Sequence, residues 1–438
     1  MMLKYVNMHY LNWCNGGVVN KFIKYNQNKN LERLRENVKK NLNKRDTLFY
    51  AIFFKDKHIG NIKCERINFK KSFAHLDILI GDKKFKKKGA EFEIIDKVCD
   101  ELFYSYNISK VFSDVVKKNI EVLNLYLKAG FVIIKSNNSK THLMCRNFFI
   151  NKIVLGTAQL GSNYGIANKT GKILIKDIKK IKQLALKEGM ITVETAQAYK
   201  NSEKILGNVN FNKFNLISKI KKIDKNNIKN LKNLIKNSVK KSLKKMKIKK
   251  IYAFLFHNSE NLLSKNGKEI FNALNMLKKN GTIENIGVAV YNVSELETLS
   301  KKYKFDIISI PFNLLDRRFE KSKVVRKLKK QNVKFYARSV FLQGLLLMKS
   351  DKMSKYFKKW KKTFNSLENY SKKNHISKFH MCLNFALSSK LIDKVVVGVN
   401  NFNQFRQIIN YRLNHKKIYL PRFKNVNYKI INPNLWKI

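Results

Sequence analysis

The sequence predicts an α/β protein in two parts: a smaller domain of amphipathic strands, then a closed barrel of eight parallel β/α units. Three observations carry that reading. The chain has 438 residues, more than the roughly 100–200 of an ordinary domain. Its hydrophobic content of 44% can bury a sizeable core, which excludes a wholly disordered chain. The apolar pattern also changes character after about Arg146, although no Pro-, Gly- or Ser-rich linker marks the join.

The elements follow in order. Before the change, 49-FYAIFF-54, 58-HIGNIKCERI-67 and 75-HLDILIG-81 read as amphipathic or clustered strands. The third runs through a short basic loop into an amphipathic helix, so 75–103 is a strand–loop–helix unit. In 119-NIEVLNLYLKAGF-131 a short helix leads into another strand. From Asn151 the runs become short and wholly apolar: 152-KIVLG-156, 190-MITVET-195, 214-FNLISK-219, 251-IYAFLFH-257, 285-NIGVAV-290, 305-FDIISI-310, 333-VKFYAR-338 and 394-KVVVGV-399. Helical stretches of Lys, Leu and Ile separate them. Eight such runs alternating with helices are the pattern of parallel β/α units, and their number suits a closed barrel better than an open sheet. The stretch 226–250 shows the helical grammar. Ile228, Leu231, Leu234, Ile235, Val239, Leu243 and Met246 fall at three- and four-residue steps, leaving lysine on the opposite, solvated face.

The formal net charge is +61, from 91 Lys+Arg against 30 Asp+Glu, and the pI is near 10.1. A charge of this size suggests a nucleic-acid or membrane partner, but its make-up points elsewhere. There are 79 Lys and only 12 Arg, beside 54 Asn, 17 Gly and 3 Pro. Lys, Asn, Ile, Phe and Tyr have A/T-rich codons, and Arg, Gly, Pro and Ala mostly do not. Base-composition drift therefore produces this bias without a selected partner. A dedicated nucleic-acid binder should lean on Arg, whose planar fork suits phosphates and guanine edges, so no nucleic-acid partner is expected. Five cysteines (Cys14, Cys64, Cys99, Cys145, Cys382) form no CxxC and no even framework, which suits a reducing cytosol. The N-terminal residues lack the apolar run and cleavage site of a signal peptide. No apolar stretch reaches the roughly 18 residues that span a bilayer. The expectation is a cytoplasmic protein with no membrane partner and no metal site.

Barrel active sites form where the C-terminal ends of strands meet the loops. Glu194 ends one predicted strand and Tyr199 lies in the loop after it. Lys219 ends the next strand and His257 the one after. A carboxylate, a phenol, an ammonium and an imidazole would thus converge at one rim. A free phenol, with a pKa near 10, is too weak an acid at neutral pH. A nearby Lys cation lowers it, and a carboxylate holds the Lys in place. Any one His or Tyr is more often packed or exposed than reactive; the ordered set outweighs that.

The segments 155-LGTAQLGSNYGIAN-168, 195-TAQAYKNSEKILG-207, 311-PFNLLDRR-318 and 337-ARSVFLQGLL-346 resemble the aldo/keto reductases, from about Asn151 to Ile438. The resemblance implies NAD(P)H-dependent reduction of an aldehyde or ketone, NADP(H) being the commoner cofactor and NAD(H) the other. By position it makes Tyr199 the proton donor, Lys219 its pKa-lowering partner and His257 the carbonyl-orienting residue. The family's Asp falls on Glu194, which is longer by one methylene. Ala289 stands for the usual Ser and Ser309 for the usual Gln of the nicotinamide-amide contacts, and Phe312 is the ring to stack on the nicotinamide. Cofactor phosphates would lie near Arg338, Ser339 and Gln343 and near Gly398, Asn400, Gln404 and Arg406.

In the N-terminal part, a helix start with exposed N–H groups and a glycine suits a pyrophosphate, and Lys86, Lys87 and Lys88 would add charge. Together with Asn119, Tyr126 and Gly130-Phe131, and with 11-LNWCNGGVVNKFI-23 and 57-KHIGNIKCERIN-68, this part resembles the GNAT acetyltransferases over nearly all of 1–146. The branch suggested acetylates amines of ribosomal proteins, small molecules and nucleotide-linked amino sugars. The resemblance implies a mixed α+β sheet domain with acetyl-CoA bound across a splayed strand. Leu79 and Ile80 would face the pantetheine, Lys86, Lys88, Gly89 and Ala90 would surround the pyrophosphate, and Asn119 would lie beside the cofactor. Tyr126 would protonate the leaving thiolate. Glu91 stands where a small residue is usual, and Lys87 where a Gly is. Glu65, His75 and Asp77 are open candidates for the general base.

These readings give an acetyltransferase domain over 1–148 and a reductase domain, a (β/α)8 TIM barrel, over 149–438. The expected function is bifunctional: acetyl-CoA-dependent N-acetylation of a small amine, an amino sugar or nucleotide sugar, and NAD(P)H-dependent reduction of a carbonyl, in bacterial surface-sugar biosynthesis. The alternative is a protein- or RNA-associated N-acetyltransferase with an impaired, scaffold-like reductase domain.

Overall fold

A computed structural model describes residues 5–15, 30–85, 90–137, 140–223, 230–411, 420–423 and 426–437. The chain forms two compact units. One comprises Met1–Asn151 and the stretch Leu186–Gly189, the other Lys152–Ala185 and Met190–Ile438.

The first unit opens with α1 (Met8–Asn15) and α2 (Leu31–Leu42). Asn30 caps α2, its side-chain oxygen accepting from the Arg33 N–H. There follow β1 (Leu48–Phe54), β2 (Lys57–Asn68), β3 (Phe73–Ile80), α3 (Ala90–Tyr106), β4 (Lys110–Val116), α4 (Ile120–Lys128), β5 (Val132–Asn137) and β6 (Thr141–Asn147). The sheet order is β1-β2-β3-β4-β6-β5. Every neighbouring pair is antiparallel except β3–β4. Alternation puts one apolar set on each face. Ile62, Cys64, Leu76 and Val111 pack with Ile95, Cys99 and Leu102 of α3. On the other side Tyr10 and Leu11 of α1 meet Leu34 and Val38 of α2.

The second unit is a closed barrel of β7 (Ile153–Gly156), β8 (Thr192–Glu194), β9 (Asn215–Ile220), β10 (Ile251–Phe256), β11 (Ile283–Ala289), β12 (Ile307–Pro311), β13 (Lys334–Arg338) and β14 (Lys394–Gly398). The pairings are parallel in chain order, and β14 closes on β7. Val154, Ile217, Ala253, Leu255, Ile307 and Tyr336 fill the interior. Among the covering helices, α5 (Leu231–Met246) carries the stripe read from the sequence. It buries Leu231, Ile235, Val239 and Met246, and its lysines face out. Ile228 lies outside the described residues. Before β14 come α6 (Lys361–Lys373) and α7 (Lys378–Ser388), and α8 (Phe402–Ile409) follows it.

Two local devices position the barrel rim. A Cβ on Gly161 would lie 2.0 Å from the Tyr199 carbonyl oxygen, so only glycine lets these two loops touch. In 311–318, Asn313 accepts from the Leu315 and Asp316 N–H groups at 3.0 Å. Asp316 holds Arg318 by two bonds of 2.8 and 2.7 Å. Arg317 donates to the Pro421 carbonyl at 2.9 Å, and Arg318 lies over the Tyr428 ring. The motif therefore ties down the C-terminal chain.

All five cysteines are free. Burial pushes Cys14 and Cys145 up to about 11, Cys99 and Cys382 up to about 12, and Cys64 higher still. Among the described residues no helix is long and apolar enough to cross a membrane, and no group of three His, Cys, Asp or Glu residues could hold a metal ion.

Candidate active sites

A cavity of about 910 Å³ opens among the C-terminal strand ends of the barrel, and Glu194, Tyr199, Lys219 and His257 all line it. Parallel register does the gathering. Glu194 closes β8 beside β9, which carries Lys219, and His257 follows the last residue of β10. Glu194 and Lys219 are 5% and 2% exposed. The Lys219 ammonium donates to a Glu194 carboxylate oxygen, so the longer carboxylate reaches its partner. It also lies 3.4 Å from the Thr195 carbonyl oxygen and 3.4 Å from the Tyr199 phenol oxygen. The Tyr199 ring meets His257 edge to face at 5.7 Å.

Burial raises the Tyr199 phenol well above the usual range; Glu194 adds to the rise and Arg338 opposes it. The Lys219 ammonium, 3.4 Å from the phenol oxygen, is placed to favour the phenolate once the proton has left. For His257, burial comes first and the Lys219 and Arg338 charges add to it, holding the imidazole down to about 4. A neutral ring with one N–H can donate to a carbonyl oxygen at physiological pH.

Arg338, Ser339, Gln343, Gly398, Asn400 and Gln404 line the cavity. Ser339 and Gln343 have φ of 58° and 55°, and Gly344 has 91°, so the chain after β13 turns sharply there. Gln404 accepts from the Asn400 N–H at 2.8 Å. Three expectations need correction. Phe312 does not line the cavity: it is fully buried and stacks on Phe385 of α7 at 4.7 Å. Arg406 is exposed on the outer side of α8, away from the cavity lining, because its neighbour Phe405 takes the buried face. Ser309 is 1% exposed and stands behind the lining, its hydroxyl without a partner among the described residues. Tyr164 and Tyr291 line the cavity and were not singled out from the sequence. Tyr291 comes two residues after β11, the kind of strand-end position that marked the others.

In the first unit, β3 and β4 pair only at Phe73–Lys110, Ala74–Val111 and His75–Phe112. Beyond His75 and Phe112 the two strands run on unpaired with each other, to Ile80 and Val116. Their facing backbone groups are left to another partner. Tyr126 is 2% exposed, hydrogen-bonded to Ser113 on β4, and raised by burial. Leu79 and Ile80 do not share a face. Leu79 packs with the α1–α2 cluster and Ile80 with the α3 side, since successive strand residues point oppositely. Asn119 is the N-cap of α4, accepting from the Val122 N–H at 3.3 Å. Lys86, Lys88 and Gly89 lie outside the described residues, as does the side chain of Ala90, the first residue of α3.

Of the base candidates, Glu65 is lowered: burial raises it, but its 2.8 Å salt bridge with Lys63 prevails. His75 is lowered by burial and Arg66, and it stacks on Phe112. Asp77 is raised, first by loss of water, with Lys63 opposing and Glu65 and Asp114 adding. Asp114 lies on β4 just past the parting point, and its charge adds to the rise at Asp77. Nothing in its local sequence marks where strand pairing stops.

Residues 152–419 match the aldo/keto reductase family. The match covers more than half of the chain, which belongs to that family. Residues 6–132 match the acetyltransferase (GNAT) domain. No curated protein matches the chain. Among solved structures, the holo form of an aldo-keto reductase from Bacillus halodurans aligns at 16% identity and a TM-score of 0.48, over 64% of this chain and 89% of that one. A thermostable aldo-keto reductase in complex with the inhibitor epalrestat aligns at 17% identity and a TM-score of 0.46, over 60% of this chain and 91% of that one. The chain is thus a two-domain enzyme of the oxidoreductase and acetyltransferase classes.

Proposed function

We propose that the protein acetylates a small amine with acetyl-CoA and reduces a carbonyl compound with NAD(P)H. The observation that carries this reading is the meeting of Tyr199, Lys219, Glu194 and His257 at one end of the barrel cavity. NAD(P)H, when bound, supplies a hydride to the carbonyl carbon, and a proton on the oxygen completes the alcohol and leaves NAD(P)+. The Tyr199 phenol, protonated at neutral pH, gives that proton. Lys219, 3.4 Å away, steadies the resulting phenolate, and Glu194 keeps Lys219 in place. The neutral His257 donates to the carbonyl oxygen and orients it.

The residues fit the cofactors. The cavity is at the upper end of the usual range for small-molecule sites, about 300–1,000 Å³. The Thr195 and Ser309 hydroxyls are buried at the strand ends without partners among the described residues, so polar groups are available there. Ser339, Gln343, Asn400 and Gln404 offer donors at other points of the lining. In the first unit, the free facing edges of β3 and β4 suit an extended amide chain such as pantetheine. Tyr126 is poised to protonate a leaving thiolate, and Asp77, its carboxyl raised by loss of water, stands as the base for an ammonium acceptor.

We assign the acceptor to amino sugars or nucleotide sugars and the pathway to bacterial surface-sugar biosynthesis in the cytoplasm. Amino and keto groups occur on the same deoxy sugars, so one chain with both activities can act on successive forms of one molecule. Mass spectrometry of the protein incubated with acetyl-CoA, NADPH and a panel of amino and keto nucleotide sugars tests this. An added acetyl group and an added pair of hydrogens are expected. Turnover of simple amines and aldehydes alone would overturn the sugar assignment.

A further inference from the structure

We infer that Arg338, set over the Tyr291 ring, is the platform that distinguishes the two redox states of the nicotinamide cofactor, holding the neutral reduced ring and repelling the cationic oxidised one. The inference rests on the reductase reading above.

Arg338 closes β13, three strands from β8 in one direction around the barrel and three from β10 in the other. Its guanidinium lies 4.2 Å from the Tyr291 ring centroid, and its Nη2 donates to the Val290 carbonyl at 3.0 Å. Two contacts with the chain after β11 therefore hold the group in place. Its Nε is buried without a partner, and no carboxylate pairs with it among the described residues. Lys219, the other cation near Tyr199, is matched by Glu194. Arg338 is thus an uncompensated charge in the cavity. That charge reaches both Tyr199 and His257, acting to lower each.

Geometry then places the reacting ring. Hydride transfer needs donor and acceptor carbons roughly 3–3.5 Å apart. The acceptor carbonyl must lie within reach of Tyr199 and His257. The ring that carries the hydride therefore lies in the cavity that Tyr199, His257, Tyr291 and Arg338 line together. Phe312 offers no face there, being sealed against Phe385. A planar guanidinium stacks on aromatic rings, and Arg338 has its Tyr291-side face covered and lines the cavity. The reduced nicotinamide ring is uncharged and the oxidised ring carries one positive charge. A second positive charge a few ångströms away, in a poorly hydrated site, disfavours the oxidised form selectively.

The test is calorimetric titration of the full-length protein with NADPH, NADP+, NADH and NAD+, beside Arg338→Met and Arg338→Lys. The wild type is expected to bind the reduced form of its cofactor tighter than the oxidised form by about tenfold or more. Arg338→Met should erase that ratio by strengthening the oxidised form severalfold, an improvement that mere damage to the site does not produce. Arg338→Lys should keep the bias. A wild-type ratio near one, or equal weakening of both forms by Arg338→Met, would overturn the inference and leave the reductase reading intact. Binding of none of the four would remove both.

Discussion

The barrel delivers reactive side chains from the ends of successive strands, whereas the N-terminal sheet delivers an opening between two strands that part company. In the barrel, the proposed chemistry rests on Tyr199, Lys219, Glu194 and His257, brought to one cavity by the ends of neighbouring parallel strands. In the sheet, much of it resides in backbone groups of β3 and β4 that pairing leaves free beyond His75 and Phe112. A site built on side chains at topologically equivalent positions is sensitive to single substitutions. A site built on backbone tolerates many sequences and depends on where a ladder stops. Single changes should therefore be harsher in the barrel than in the sheet.

The largest effect should come from Tyr199→Phe. Loss of the proton donor should lower reductase turnover about a thousandfold, within the range for a positioned general acid, while acetyl transfer by the same preparation is unchanged. A steady-state assay of both activities checks this, and undiminished reduction would remove Tyr199 from its role. Next is Glu194→Gln, which leaves the Lys219 ammonium buried beside a neutral group. Turnover should fall about a hundredfold, and denaturant unfolding should show the barrel weakened by about 3 kcal/mol, as when a buried ion pair loses one member. Tyr126→Phe probes the sheet side of the comparison. Acetyl transfer should fall only about tenfold in kcat, because a thiolate can leave without full protonation, with KM for acetyl-CoA held as expected of the proposed backbone-built site. A thousandfold loss there would erase the contrast between the two units.

The smallest effect is on stability against pH. His257 is held near 4 in the folded chain against about 6.5 in an unfolded one. Between those values the unfolded state binds more protons, so stability rises with pH through the window and falls as pH drops from about 6.5 to 4. The change should amount to about 1–2 kcal/mol after allowance for partial exposure. It should vanish in His257→Asn when the two proteins are unfolded across pH 4–7.

The same contrast explains what could be read from the sequence. Eight apolar runs at barrel spacing identify the strands, and the ends of those runs mark the rim, so the gathering of Glu194, Tyr199, Lys219 and His257 at one cavity is legible. Phe312 follows a strand end too, but its environment is set by Phe385, many residues away on α7, which no local pattern reveals. The pairing of Arg338 with Tyr291 likewise needs two strand ends brought together. In the sheet, the runs at 49–54, 58–67 and 75–81 were visible as strands. The parting of β3 and β4 was not, because pairing and its absence draw on the same residue types. Leu79 and Ile80 show the cost: as neighbours in sequence they read as one surface, and the pleat puts them on two.

The buried thiols have a practical consequence. With every native cysteine held at about 11 or above, a cysteine engineered onto the surface, ionising near 8.5, would present more than a hundredfold more thiolate at neutral pH than any of them. The wild-type chain is in that sense already a silent background for maleimide chemistry. A single reporter dye could be attached beside either active site without first removing a native residue.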